Sequence, residues 1–202
     1  MEQSVAVSSP VVIQSPRAGA GFALRAGGQI IDLIVHNGIS LVVGFTMGIL
    51  IAIYAIITGT SPYVLTAKLD TPSPLGYILP LVGYVFYHAI CEGLDGATLG
   101  KFICKVHVLK EDGTPAPMGP AFIRSIAFFI DSLFFGIVAA ASMRSSELQQ
   151  RLGDKWGKTV VIERSKINQY PWPSGWKFVM VFLLAIFVDG SIIALSLLLK
   201  LL

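Results

Sequence analysis

The chain has 202 residues, of which 54% are hydrophobic and 13% are charged, and its mean hydropathy is +0.72. This composition lies outside the range of soluble globular domains and indicates an integral membrane protein. The net charge of +3 is small and spread along the loops, which excludes the basic surface of a nucleic-acid-binding protein and leaves the charges as indicators of topology.

The sequence lacks motifs for catalysis or for a cofactor. Cys91 and Cys104 form no CxxC pair and have no histidine cluster at metal spacing beside them, so neither a disulfide nor a zinc site is expected. Residues 153–159 resemble a P-loop, but only three residues separate the two glycines and a predicted strand follows. We therefore expect no enzyme activity, no cofactor and no bound metal.

The N-terminal part of the chain predicts a tail followed by a transmembrane helix. No basic segment followed by an apolar core and a cleavage site marks a signal peptide at the start of the chain. Residues 1–21 are expected to form a flexible tail. Residues 33–57 contain no Asp, Glu, Lys or Arg. At about 1.5 Å per residue, a helix of this length exceeds the ~30 Å hydrocarbon core of a bilayer. A short connection outside the membrane, residues 58–73, is expected to follow.

Three ionisable residues, Arg25, Asp32 and His36, lie near one face of the first helix, because about 3.6 residues make one turn. An ionisable group inside a transmembrane helix is costly and normally faces protein or water. Two interpretations remain open. The three side chains belong either to an ion or proton path or to a polar clasp between helices.

The second apolar run, residues 74–94, predicts another transmembrane helix. His88 and Glu92 lie one turn apart near its end. If the two helices pack antiparallel, these groups reach the depth of Asp32 and His36. The four side chains would then form a titratable layer in the cytoplasmic half of the membrane, or, alternatively, they all lie at the headgroup interface.

Two β-branched segments predict a small β-ribbon. In the first, Val106 and Val108 alternate with Lys105 and His107, as expected for a half-buried strand. The second, residues 158–164, alternates over a similar length. We expect the two strands to pair as a cytoplasmic ribbon against the membrane.

The third apolar run, residues 121–143, carries Arg124 and Asp131 at the spacing of Arg25 and Asp32. This spacing suggests a degenerate internal repeat. Lysine and arginine flank the run on both sides, so both of its ends are expected in the cytoplasm. A re-entrant hairpin broken near Gly136 fits this topology better than a fourth span, and other helices would shield its bend from lipid.

The last predicted span, residues 178–199, carries Asp189 near its middle. Before it, residues 171–176 combine two prolines with two tryptophans, which is typical of a bend at the membrane interface. With a cytoplasmic N-terminus, the C-terminus ends outside the plasma membrane. The predicted fold is an all-α integral membrane protein with three transmembrane helices, an apolar segment that re-enters or spans, and a small cytoplasmic two-stranded β-ribbon.

Several motifs resemble the RDD family of small membrane proteins, which is named for an arginine and two aspartates. Arg25 and Asp32 match the first two letters, and short motifs between residues 96 and 161 resemble the second half of the family in order and spacing. The second aspartate of the family corresponds to either Asp131 or Asp154.

The resemblance divides the chain into three parts. Residues 1–21 are the flexible tail, residues 22–164 an RDD-like membrane domain, and residues 165–202 an interfacial linker with the C-terminal transmembrane helix. The resemblance implies a multi-span membrane protein, with cation/proton antiport in some members and assembly or adaptor roles in others.

Two functions are open to such a protein. The first is transport of small ions, in particular exchange of monovalent cations for protons, with Asp32 as the carrier. The second is a non-catalytic scaffold or assembly protein in which the same charges lock the helices together. The candidate residues for the ion path or the clasp are Arg25, Asp32, His36, His88, Glu92, Arg124, Asp131 and Asp154. Expected partners are the lipid bilayer, small monovalent cations and protons, and a second copy or a partner membrane protein, without nucleic acid.

Overall fold

The computed structural model describes residues 19–166 and 175–201 and is mostly helical. Three helices are long and apolar enough to cross a membrane, and a bent pair of shorter helices makes a fourth candidate. The elements in chain order are α1 (Phe22–Thr58), α2 (Pro62–Asp70), α3 (Pro74–Asp95), α4 (Leu99–Ile103), β1 (Val106–Lys110), α5 (Met118–Asp131), α6 (Leu133–Arg144), α7 (Leu152–Trp156), β2 (Thr159–Glu163), a 3-10 turn (Arg164–Lys166) and α8 (Gly175–Leu201). The three predicted spans correspond to α1, α3 and α8.

The α3 helix runs antiparallel to α1 and α8. The Ala20 N–H, just before α1, donates to the Val161 carbonyl (2.7 Å), and the Val108 N–H donates to the Gly96 carbonyl just after α3 (2.8 Å). Near the start of α8, the Phe178 ring stacks on a ring of α4. The starts of α1 and α8 and the end of α3 therefore meet at the ribbon, and we refer to this end of the bundle as the ribbon end.

Two predictions fall largely on residues outside the described ranges. The interfacial bend at residues 171–176 lies outside them up to residue 174. The flexible tail lies outside them up to residue 18. Its last part differs from the prediction, because Ala20 is buried and bonded to β2, and Gly19 forms a bridge with Ile162.

The predicted connection between α1 and α3 contains a helix that the sequence analysis did not anticipate. This helix, α2, begins at Pro62, which suits the first turn because no N–H partner is needed there. Lys200, near the end of α8, donates to the Leu69 carbonyl (2.9 Å). The α2 helix therefore lies at the end of the bundle opposite the ribbon end.

The two strands pair antiparallel with Val108 opposite Val161, which confirms the predicted pairing. The predicted half-buried alternation is wrong, because the first four residues of each strand are all buried. One face packs on alanines from outside the ribbon, Ala20 among them. On the other face, the His107 ring lies against Gly96. Both faces are covered, so alternation in sequence does not become alternation in exposure.

The third apolar run forms two helices, α5 and α6, bent by 116°. At the break, Phe134, Phe135 and Gly136 adopt left-handed backbone with φ of 51°, 57° and 85°. Bulky residues rarely adopt this conformation, so the turn is strained. The predicted break near Gly136 is present, and a bent pair of this kind fits both a re-entrant hairpin and a broken span.

Candidate functional site

Asp32 on α1 is fully buried, and both of its carboxylate oxygens accept hydrogen bonds. Oδ1 accepts from the Tyr87 hydroxyl (3.1 Å) and the Gly100 N–H (2.8 Å). Oδ2 accepts from the Thr98 hydroxyl (2.6 Å). Because Thr98 is the N-cap of α4, the carboxylate lies on the first turn of that helix. Asp32 therefore joins α1, α3 and α4.

The α1 and α4 helices approach so closely that residue 100 has to be glycine. A Cβ built on Gly100 would overlap the Gly28 carbonyl oxygen and lie 2.9 Å from Asp32 Cγ. A side chain at this position would push α4 away from α1 and break its hydrogen bonds to the carboxylate.

Asp131 on α5 holds α7 in a similar way. Its Oδ1 accepts from the Leu152 N–H (3.1 Å) and its Oδ2 from the Gly153 N–H (3.3 Å), at the first turn of α7. The helices are again close, since a Cβ on Gly153 would lie 3.0 Å from Ala127 Cβ. We refer to the carboxylate contacts of Asp32 with α4 and of Asp131 with α7 as the two clasps.

The two clasps belong to an internal repeat. In each unit, an Arg-x6-Asp helix is followed by a Leu-Gly pair that opens a short helix, then by a lysine and a strand. The lysines, Lys105 and Lys158, have left-handed φ of 55° and 49°. Val108 and Val161 occupy equivalent positions and face each other in the ribbon. The structure therefore supports the repeat suggested by the arginine-aspartate spacing, and it places Lys105 in the turn before β1 rather than in the strand.

The two arginines of the repeat meet at one carboxylate. Arg25 Nη2 and Arg124 Nη1 each donate to an oxygen of Asp154, and the Arg151 N–H donates to Oδ2 (2.9 Å). Burial on its own raises the pKa of Asp154, but the three arginine charges around it outweigh this effect and hold the pKa well below its usual range. Asp154 therefore stays ionised and links α1, α5 and α7.

Glu92 on α3 extends this set of charges. Its oxygens pair with Arg124 Nε (2.9 Å) and Lys101 Nζ (2.8 Å), and His88 Nδ1 lies 3.5 Å away. Arg124 also donates to the Thr159 hydroxyl at the start of β2 (2.7 Å). We refer to Arg25, Glu92, Lys101, Arg124 and Asp154 as the charge cluster. It joins α1, α3, α4, α5 and α7 to the ribbon.

The clasps and the charge cluster lie within the part of the chain that matches a known family. The matching model is described as the RDD family and covers residues 20–158. This chain belongs to the RDD family. No curated protein and no solved structure matches it. Family membership and the apolar helices indicate an integral membrane protein. We refer to residues 20–158 as the RDD domain.

A row of polar side chains leads from the RDD domain to α8. The Gln29 amide donates to the Tyr84 hydroxyl, and its Nε2 lies 3.3 Å from His88 Nε2. The Tyr84 ring meets the His36 ring edge-on, with 5.2 Å between centroids. His36 Nδ1 lies 2.8 Å from Asp189 Oδ2. We refer to these five residues as the polar row.

A narrow crevice opens between the polar row and the charge cluster, with room for about one water molecule. Its walls include Gln29, His88, Glu92, Arg124, Phe128 and Arg151. Arg124 Nη2 and Arg151 Nε are buried and have no hydrogen-bond partner in the described part of the chain. Such groups beside a crevice are places where water binds.

The four side chains of the predicted titratable layer bind different partners, and their common depth, within the membrane or at the headgroup interface, stays a prediction. Asp32 turns to α4, Glu92 joins the charge cluster, and His36 pairs with α8. The partners differ because successive turns of α1 face different elements, Asp32 facing α4 and His36 facing α8. A prediction based only on two antiparallel helices does not include these elements. His88 connects two of these arrangements, since it belongs to the polar row and lies 3.5 Å from Glu92.

Several polar residues of the site were not predicted from the sequence. They are Gln29, Tyr84, Tyr87, Thr98, Lys101, Arg151 and Thr159. A usable signal existed for part of this set. The repeated Leu-Gly pairs at residues 99–100 and 152–153 mark Thr98 and Arg151 as equivalent positions before two short helices. No comparable signal marks Gln29 or Tyr84, because single polar residues in apolar helices are common.

Proposed function

We propose that this RDD-family protein exchanges protons for small monovalent cations across the membrane. The observation that supports exchange is the polar row, which runs from the crevice to Asp189 inside the last transmembrane helix. Ionisable groups at such positions are costly and mark ion and proton pathways in membrane proteins. Histidine in particular changes its charge near neutral pH.

The size and polarity of the path favour small ions over larger solutes. The crevice has room for about one water molecule, whereas pockets for drug-sized molecules measure on the order of 300 Å³ or more. Beyond Asp189, toward the opposite end of the bundle, buried apolar residues such as Met47, Ile51 and Ile193 fill the space. Protons and desolvated monovalent cations are therefore the substrates that we propose.

We further propose that the ribbon end faces the cytoplasm. Basic residues are numerous there, with Lys105, Lys110 and Lys158 on or beside the ribbon. The opposite end carries Lys68 and Lys200. An excess of lysine and arginine is typical of cytoplasmic segments. In this orientation α8 ends outside the plasma membrane. Because three spans enclose little volume, the working unit is proposed to contain a second copy or a partner membrane protein.

A scaffold or assembly role is the second candidate, and the charge cluster together with Asp32 favours it. Both carboxylate oxygens of Asp32, Glu92 and Asp154 have donors. Complete pairing of this kind is expected of charges that hold elements together. In both candidates Asp32 positions α4, and the carrier role predicted for Asp32 stays a prediction.

Ion flux into vesicles tests the exchange. The full-length protein is reconstituted in lipid vesicles that contain a pH-sensitive dye, and gradients of Na⁺, K⁺ or Li⁺ are imposed. We expect cation-dependent proton movement above the level of protein-free vesicles. Gln29→Leu, which interrupts the polar row, should reduce this flux. Asn37→Leu, which removes an exposed amide from the same helix, should leave it unchanged.

Two outcomes of the flux measurement separate the two candidate functions. Flux that is reduced in Gln29→Leu and normal in Asn37→Leu supports exchange along the polar row. A folded wild-type protein without flux for any of the three cations would contradict exchange and favour the scaffold.

A further inference from the structure

Asp189 is fully buried near the middle of α8. His36 pairs with its Oδ2 at 2.8 Å, while its Oδ1 has no hydrogen-bond partner among the residues that the structure describes. Asp32 and Asp154 differ, because both oxygens of each accept hydrogen bonds. Asp189 therefore keeps an acceptor available for a further ligand inside the bundle.

The free oxygen lies against the backbone of α3. A Cβ built on Gly83 would overlap Asp189 Oδ1, so glycine allows the carboxylate to reach this position. The neighbouring Gly190 is different, because a Cβ there would lie 3.5 Å from Ile39 Cγ2, an ordinary contact distance. Alanine at position 83 would displace the free oxygen, whereas alanine at position 190 has room.

Few titratable groups face Asp189 in the described part of the chain. The α1 helix contributes His36, and α3 contributes Tyr84, whose ring contacts His36. The α5 helix contributes an uncharged ring beside Tyr84. The lysines of α8, Lys177 and Lys200, lie at its two ends, and α2 contacts only the far end of α8.

The charge balance at this position favours a single positive charge as the ligand. An ionised carboxylate in an apolar interior is costly because of its charge, and His36 contacts only one of the two carboxylate oxygens of Asp189. One proton or one monovalent cation at Oδ1 cancels the charge. The two ligands cannot occupy this oxygen together, so a cation that binds displaces the proton, and a proton that binds displaces the cation.

We propose that Asp189, held by His36, is the site where a proton and a monovalent cation compete for binding. The polar row connects this site to the crevice at the charge cluster. The inference rests on the exchange function proposed above and adds the binding site to it. The site lies on α8, beyond the residues that match the RDD model.

Flux measurements on variants in vesicles test the site. In Asp189→Asn, cation-dependent proton flux is expected to fall to the level of protein-free vesicles, because the amide has no exchangeable charge. Gly83→Ala should raise the cation concentration needed for half-maximal flux, and Gly190→Ala should leave it at the wild-type value. Full exchange by Asp189→Asn would overturn the site and leave the proposed function standing. If Asp189→Asn fails to fold, equal behaviour of the two alanine variants overturns the site, and the expected difference supports it.

Infrared difference spectroscopy tests the site without transport. A protonated buried carboxyl gives a C=O stretching band that is lost on ionisation. We expect such a band in the wild-type protein, responsive to both pH and added cation, and missing from Asp189→Asn. If the wild-type protein shows no flux, the exchange function fails and this band alone decides the inference. Its presence then supports competitive binding at Asp189, and its absence overturns it.

Discussion

The buried carboxylates of the charge cluster differ from Asp189, which pairs with His36, in how many of their oxygens have a protein partner. In the cluster, both oxygens of Glu92 and of Asp154 are paired with cationic side chains. In the pair, one oxygen of Asp189 contacts a histidine, and the other has no partner among the described residues. In a fully paired carboxylate, hydrogen bonds from protein donors take the place of hydrogen bonds from water. A partly paired carboxylate has an oxygen at which an ion can still bind.

This difference separates stability from function. Removing a partner from the charge cluster leaves a buried charge unpaired, so we expect such variants to lose the fold. Neutralising Asp189 removes a charge that the protein compensates only in part, so we expect the fold to survive and the exchange to stop. Variants of the two regions should therefore fail in different assays.

Arg124→Ala is expected to have the largest effect on stability. The change removes a partner from Glu92, Asp154 and Thr159 together. Because two buried carboxylates lose a cation, the free energy of unfolding should fall by about 3–5 kcal/mol. Thermal unfolding of the purified protein in detergent measures the loss.

A surface pair provides the control for Arg124→Ala. Lys110 pairs with Asp112 at an exposed turn (2.7 Å), and exposed pairs contribute little to stability. Lys110→Ala should therefore unfold close to the wild-type temperature. Equal unfolding temperatures for the two variants would contradict the structural role of the charge cluster and remove the contrast with Asp189.

Acid is expected to weaken the ribbon through His107, which belongs to neither the charge cluster nor the pair of His36 with Asp189. Burial, with Arg164 and Lys177 adding to the effect, lowers the pKa of His107 from an ordinary value of 6.5 to about 4. Between these values the unfolded chain binds a proton that the folded protein does not. The contribution of neutral His107 to stability is therefore fully present above pH 6.5. The free energy of unfolding falls by about 2–3 kcal/mol as the pH drops from 6.5 to about 4.

Unfolding curves at several pH values check this expectation. His107→Gln should flatten the pH dependence of stability between pH 6.5 and 4, because glutamine does not titrate. The pH profile of ion exchange, which we assign to Asp189, should stay unchanged in the same variant. A wild-type slope of stability in His107→Gln would contradict the assignment to His107.

The sequence predicts the main elements of the fold because their signals are long or strong. The spans α1, α3 and α8 follow from apolar runs that exceed the thickness of a bilayer, and the ribbon follows from two β-branched segments. The helix α2 was not predicted because a short segment of polar and apolar residues between two prolines is typical of a connecting loop. The burial of both ribbon faces was missed because alternation in sequence does not show what covers each face.

The site is less predictable because its contacts join distant parts of the chain. The spacing of Arg25 and Asp32 suggested a local polar stripe, yet Arg25 binds Asp154 and Asp32 binds α4. Charge attraction alone allows many such pairings, and only the packing of α1, α5 and α7 selects one. Asp189 was visible as a carboxylate in the middle of a predicted span, but its partner His36 depends on which face of α1 meets α8.

Asp32→Asn gives the finest test of the contrast between paired and partly paired carboxylates. The amide places a donor where a carboxylate oxygen accepted hydrogen bonds from Thr98, Tyr87 and Gly100, so the free energy of unfolding should fall by about 1–3 kcal/mol. The flux per folded molecule in vesicles should stay near the wild-type value, unlike that of Asp189→Asn. An Asp32→Asn protein with normal thermal stability and no flux would reverse the assignment. That result would identify Asp32 as the carrier. It would also show that a carboxylate with hydrogen bonds to both oxygens can release these donors and bind an ion.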